Sequence, residues 1–107
     1  MDAVVAKEGD TYEIIAQEFN LKNWELYKFN DQPKGYAPQE NEVVYIQNKK
    51  RRAAKENPAH RVEQGETMHY ISQMYGIRLK PLLRRNQMKA GEQPQPGQII
   101  QLRKKAK

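Results

Sequence analysis

Two triplets, "GDT" at 9–11 and "GET" at 65–67, place a glycine and a carboxylate directly before a threonine. This combination suits a turn that opens a helix. The threonine oxygen accepts from an otherwise orphaned backbone N–H, and the acid lies beside the positive helix end. The same acids are the first candidates for acid–base chemistry, because Asp10 and Glu13 have the makings of a carboxylate pair. The corresponding residues of the later stretch are Glu66 and His69, so the two stretches share no such pair. Other reactive types are sparse. Ser72 is the only serine and falls on an apolar stripe, which makes it a small core residue rather than a nucleophile. His60 is expected in a strand and His69 on a helix face, with no third ligand at metal spacing. No catalytic residue, metal or cofactor is therefore expected, and a unit this small cannot build a deep cleft.

The elements that carry these residues occur twice. A shift of 56 positions aligns residues 4–49 with 60–105 without a gap, matching Gly9 to Gly65, Thr11 to Thr67, Ile15 to Ile71, Leu26 to Leu82, Asn30 to Asn86 and Gly35 to Gly91. In each copy a short extended run, 4–7 or 60–63, precedes the triplet. Tyr12, Ile15, Ala16 and Phe19, and then Met68, Ile71, Ser72 and Tyr75, follow the i, i+3, i+4, i+7 spacing of one helix face. Asn20 and Gly76 come next, two residue types that tolerate the left-handed conformation closing a helix. Second helices are predicted around 24–30 and 80–86, with Leu26 and Leu82 as core anchors and Pro81 in the first turn, where its missing N–H is harmless. Phe29 aligns with Arg85, so that position is expected to be half-exposed. Trp24 aligns with Lys80 and is expected to pack only partly on the helix surface. Final strands are predicted at 42–47 and 98–103, with Val44, Ile46, Ile100 and Leu102 facing inward.

The expected fold class is therefore α+β: two tandem β-α-α-β units, each a two-stranded antiparallel sheet covered by two helices. Unit 1 spans 1–47 and is the more divergent, a basic linker spans 48–59, and unit 2 spans 60–105. The aligned core pairs are Ile15/Ile71, Phe19/Tyr75, Leu26/Leu82 and Ile46/Leu102. The linker "NKKRRAAKENP" has no apolar stripe and is expected to be a loose connector.

Bulk properties narrow the partners. The 107 residues suffice for one ordinary domain or two very small ones, and no cysteine is present to brace either. No apolar run approaches the roughly 18 residues of a membrane span, and the first residues show no secretory signal pattern. The formal charge of +6 is unevenly spread: residues 1–47 carry 4 basic and 9 acidic side chains, residues 48–59 carry 5 and 1, and residues 60–107 carry 10 and 3. Arg84, Arg85, Lys89, Arg103, Lys104 and Lys105 make nucleic acid or another polyanion the rival reading. Aromatics do not interleave with these cations as single-strand platforms require, and the acidic first copy would repel phosphate. A protein–protein adaptor is the third reading.

The order Gly-acid-Thr, Ile four residues after the Thr, Ala or Ser, then Phe or Tyr resembles the LysM module. The resemblance continues with "L-x-x-x-N" and, in unit 2, with "PGQIIQL". The first copy departs at "QEN", where Asn41 replaces Gly97, although asparagine also supports positive φ. More loosely, the pair is similar to the tail of bacterial cell-wall glucosaminidases that carry two LysM units. The resemblance implies a non-catalytic module for N-acetylglucosamine-containing glycan, peptidoglycan or chitin, that targets an attached cell-wall hydrolase. It also implies a cell-envelope location, periplasmic or extracellular, and a monomer. The implied groove lies between two loops. In unit 2 its sides are Gly65, Glu66, Thr67 and Met68, and Asn86, Gln87, Met88, Lys89 and Ala90. In unit 1 they are Gly9, Asp10, Thr11 and Tyr12, and Asn30, Asp31, Gln32 and Pro33. Thr11 and Thr67 are expected first as caps, Gly9 and Gly65 as turn formers, and Asn30 and Asn86 as closures of the second helix. Unit 2 keeps the fuller motif and is expected to bind better. Asp31, Pro33 and Tyr36 are expected to narrow or block the groove of unit 1.

Overall fold

The computed structural model describes residues 3–105, and the chain divides after Lys49 into two compact units. Unit 1 contains β1 (Ala3–Val5), α1 (Tyr12–Glu18), α2 (Asn23–Phe29) and β2 (Val43–Tyr45). Unit 2 contains β3 (Ala59–Arg61), α3 (Met68–Tyr75), α4 (Leu79–Arg85) and β4 (Ile99–Gln101). Strands β1 and β2 pair antiparallel with Val4 opposite Val44, and β3 and β4 pair likewise with His60 opposite Ile100. The two sheets are separate, as two β-α-α-β units require.

Each strand is shorter than the apolar pattern predicts, but the ladder continues past its ends. Ala6 N donates to Glu42 O and Asn41 N to Ala6 O, while Val62 N donates to Gln98 O and Gly97 N to Val62 O. The threonine caps form as expected: Thr11 Oγ accepts from Ile14 N at 3.1 Å and Thr67 Oγ from Tyr70 N at 3.0 Å. Among the described residues, positive φ occurs at Gly9, Asn20, Asp31, Gly35 and Asn41 in unit 1, and at Gly65, Gly76, Gln87, Gly91 and Gly97 in unit 2. Each of the first five is matched by the residue 56 positions later. Asn20 and Gly76, and Asn41 and Gly97, thus meet one stereochemical demand with different residues.

The cores follow the same alignment with exceptions. Ile15, Leu26 and Val44 close the core of unit 1, and Ile71, Leu82, Ile100 and Leu102 that of unit 2. Ser72 is fully buried and its Oγ donates to His69 O at 2.6 Å, the role of a small core residue. Phe19 is a correction. It is 40% exposed at the end of α1, whereas its partner Tyr75 packs partly against its core. Helix α1 ends one aligned residue earlier than α3, so Phe19 has left the helix face that the periodicity assigned it. Ile46 is only partly buried. Trp24 is 58% exposed, packing only partly on the helix surface.

The loose connector is a second correction. Ala53 is 2% exposed within the unit 2 core. Lys50 N donates to Gly76 O and Arg78 N to Lys50 O, while Ala53 N donates to Leu102 O and Leu102 N to Pro58 O. Backbone hydrogen bonds, one small side chain and the Arg85 and Arg103 guanidiniums hold this segment, and none of these leaves a periodic apolar signal in sequence. Lys49 is buried on unit 1, where its Nζ lies 2.8 Å from Asp31 Oδ2.

Candidate functional site

In each unit the first loop, between strand and helix, closes on the same turn. Asp10 N donates to Lys7 O and Glu66 N to Glu63 O, with Gly9 and Gly65 supplying φ of 85° and 88°. The acid that follows reaches back across the turn. Asp10 Oδ2 accepts from Lys7 N, and Glu66 Oε1 accepts from Glu63 N, each at 2.8 Å. The acids of the two triplets therefore brace the loop that presents the threonine cap.

The second loop begins with an asparagine clamp. Asn30 Nδ2 donates to Leu26 O and Tyr45 O, and its Oδ1 accepts from Tyr45 N. Asn86 repeats this with Leu82 O, Gln101 O and Gln101 N. One side chain thus closes a helix and fastens it to a strand. The next residues, Asp31 and Gln87, take positive φ of 52° and 57°, and Gln32 N and Met88 N then donate to Tyr27 O and Leu83 O. This is the hydrogen-bond pattern of a Schellman ending, built here on residues that are not glycine. The two loops of unit 2 meet where Met68 N donates to Gln93 Oε1 at 3.0 Å. In unit 1 they meet where the rings of Tyr12 and Tyr36 lie 5.7 Å apart.

Burial sorts the expected site residues. The side chains of Tyr12, Met68 and Asn30 are buried, so any ligand contact there falls to their backbone. Gly9, Gly65, Thr67, Pro33, Gln87, Lys89 and Ala90 are exposed, while Asp10, Thr11, Asp31, Gln32, Glu66, Asn86 and Met88 are half-buried. Many loop amides are already committed. In unit 2 those of Glu66, Met68, Gln87, Met88 and Lys89 all have protein acceptors, that of Lys89 being Glu92 Oε1. Among the described residues the amides of Gly65, Thr67 and Ala90 have none, which leaves them as the donors on offer. Asp31 in unit 1 is engaged by Lys49, and Pro33 has no amide to make the turn bond that its counterpart Lys89 makes to Glu92.

The layer beneath the loops differs most. In unit 1, Tyr12 sits 4.9 Å from the Tyr27 ring, Tyr27 Oη donates to Glu13 Oε2, and Tyr36 Oη reaches both oxygens of Glu42. Burial and then Glu42 push the Tyr36 hydroxyl up to about 12. Burial, followed by Glu42 and the neighbouring tyrosines, holds Tyr12 far above the ordinary range, and its hydroxyl has no hydrogen-bond partner. Met68, Leu83 and Glu92 occupy these positions in unit 2. Unit 2 instead has a polar chain: His60 Nδ1 lies 2.8 Å from Tyr75 Oη, and His60 Nε2 lies 2.8 Å from Glu66 Oε1. The Glu63 amide, then His60, holds the Glu66 carboxyl below its usual range. No residue spacing announces this chain, because its members come from β3, the following loop and the end of α3.

Paired two-stranded sheets, each with two helices and two facing loops, define a small tandem β-α-α-β module. A LysM domain model matches residues 4–46 and 60–103, and the chain belongs to the LysM family. LysM is a non-catalytic carbohydrate-binding domain whose ligands are N-acetylglucosamine-containing glycans of the peptidoglycan and chitin type, typically found on cell-wall-associated proteins. Comparison with curated proteins yields no match. Among solved structures, the chain is similar to the spore cortex-lytic enzyme SleL of Bacillus cereus, at 20% identity and a TM-score of 0.42, covering 99% of this chain and 23% of that one. It is similar also to SleL of Bacillus megaterium QM B1551, at 16% identity and a TM-score of 0.42, covering 96% and 22%. The chain thus spans less than a quarter of the length of either structure. Among the described residues no helix is long and apolar enough to cross a membrane.

Proposed function

We propose that the chain binds peptidoglycan-type N-acetylglucosamine glycan through the loops of unit 2, with unit 1 the weaker site, and holds an attached cell-wall hydrolase on its substrate. The observation that carries the reading is the loop pair of unit 2. The exposed amides of Gly65, Thr67 and Ala90 can donate to acetamido carbonyls, and partly buried Met88 can meet an acetamido methyl. Unit 1 keeps the same backbone but differs in chemistry, since Asp31 is paired with Lys49. One sugar in a shallow groove binds weakly, so two tethered units gain on a polymer by avidity. The looser likeness to glucosaminidase tails supports the attachment to a hydrolase and a place in the envelope outside the membrane. The protein acts as a monomer and does not take nucleic acid as its ligand.

The test is an NMR titration of the whole chain with neutral N-acetylglucosamine oligomers. Shifts should centre on 65–67 and 87–90, change little with salt, and disappear in Ala90→Trp. Lys34→Trp, the exposed counterpart in unit 1, should leave them in place. Shifts confined to unit 1, or indifference to Ala90→Trp, would overturn the assignment. Binding that vanishes at moderate salt would favour the polyanion reading.

A further inference from the structure

Four arginines of unit 2 gather at the end of α4. Arg85 Nη2 donates to Arg51 O at 2.6 Å and its Nη1 to Leu102 O at 3.4 Å, while Arg103 Nη1 donates to Ala53 O. Arg85 and Arg103 are half-buried, and Arg51 and Arg52 are exposed. Burial first, and then Arg52, Arg51 and Arg103, pushes the Arg85 guanidinium below its ordinary range. Among the described residues no carboxylate forms an ion pair with any of them, and no aromatic ring lies over their guanidinium planes. Like charges held together by backbone carbonyls, without a counter-ion, favour an oxyanion. Each guanidinium has five donors in a planar fork, and the carbonyls occupy two of those on Arg85 and one on Arg103.

The cluster is specific to unit 2. The counterparts of Arg85 and Arg103 in unit 1 are Phe29 and Gln47, and the segment bearing Arg51 and Arg52 docks on unit 2 through Ala53. In sequence Arg85 directly precedes Asn86, the clamp from which the second loop begins. An anion meeting these arginines while the loop holds a sugar is one tethered to that sugar. In peptidoglycan the tethered anions are the carboxylates of the peptides attached to alternate sugars.

We propose that Arg51, Arg52, Arg85 and Arg103 form an oxyanion site that takes the carboxylates of the acidic peptides borne by the wall glycan. The proposal rests on the glycan reading above and adds a charged contact that distinguishes peptide-bearing peptidoglycan from a neutral polymer of the same sugar. Calorimetry on the full chain tests it with two ligands: a neutral N-acetylglucosamine oligomer, and a peptidoglycan fragment of equal sugar length carrying its acidic peptides. The variant is Arg51→Gln with Arg52→Gln, both exposed and remote from the loop amides in sequence. At low salt the peptide-bearing fragment should bind about tenfold tighter than the neutral oligomer. That preference should shrink as salt rises and disappear in the double variant, whereas the neutral oligomer should bind both proteins equally. Equal binding of the two ligands, or a preference that survives the double substitution, overturns the site. Tighter binding of a short oligonucleotide than of the peptide-bearing fragment overturns the carboxylate assignment. If the neutral oligomer fails to bind while the fragment binds in an arginine-dependent way, the loop reading falls and the oxyanion site stands.

Discussion

Units 1 and 2 share a backbone and differ in what fills it. Left-handed residues recur at the same five positions, both threonines cap, and both asparagines clamp helix to strand. Under the loops, however, unit 1 packs three tyrosines with tilted rings, braced by Glu13 and Glu42. Unit 2 uses Met68 and Leu83 there and adds the Tyr75–His60–Glu66 chain. The charges diverge as well, since 1–49 carries 5 basic and 9 acidic side chains and 50–107 carries 14 and 4. Backbone stereochemistry tolerates few substitutions, whereas the interior needs only matching volume and satisfied polar groups.

The equivalence of the two cores gives the largest expected effect. Leu26→Ala and Leu82→Ala remove fully buried side chains, and each should destabilise its own unit by about 2–5 kcal/mol in urea unfolding. A near-neutral result in either unit would show that the cores are not equivalent. The clamps come next. Asn30→Ala removes the side-chain acceptor of Tyr45 N and one donor to each of two carbonyls in a buried site, about 1–3 kcal/mol, and Asn86→Ala should cost less because Asn86 is only half-buried. The reverse order would break the comparison.

The tyrosine layer predicts a gain. Tyr12→Phe removes a buried hydroxyl with no partner and should stabilise unit 1 by up to about 1 kcal/mol, read from the same urea curves. A loss would mean that the hydroxyl is satisfied by water in solution. The smallest effect is acid sensitivity. Glu66 has a depressed folded-state value, so its stabilising contribution is present above the ordinary carboxylate value of 4.5 and is lost as pH falls through the lower folded value. The Glu63 amide resonance should therefore move below pH 4.5 in wild type and stay still in Glu66→Gln, which keeps the acceptor but not the charge.

Much of the fold was legible because it is local. Periodicity located all four helices to within a residue or two, and the 56-residue shift anticipated the positive φ at Asn41 from Gly97. The expected site residues were less so. Their loops were placed, but Tyr12 and Met68 follow loop residues in the motif while lying on the buried helix face. The arginine cluster was visible only as net charge, because its members come from the connector, α4 and the end of the chain.

What the sequence determined by itself are features set within a few residues: the duplication, the caps, the left-handed positions, the helix faces and the charge divergence. What only tertiary structure decided depends on which distant groups meet. The docking of Ala53, the exposure of Phe19, the burial of Lys49 on Asp31, and the His60–Glu66 contact all belong here. Each is settled by distance and desolvation between elements, and linear spacing carries no record of either.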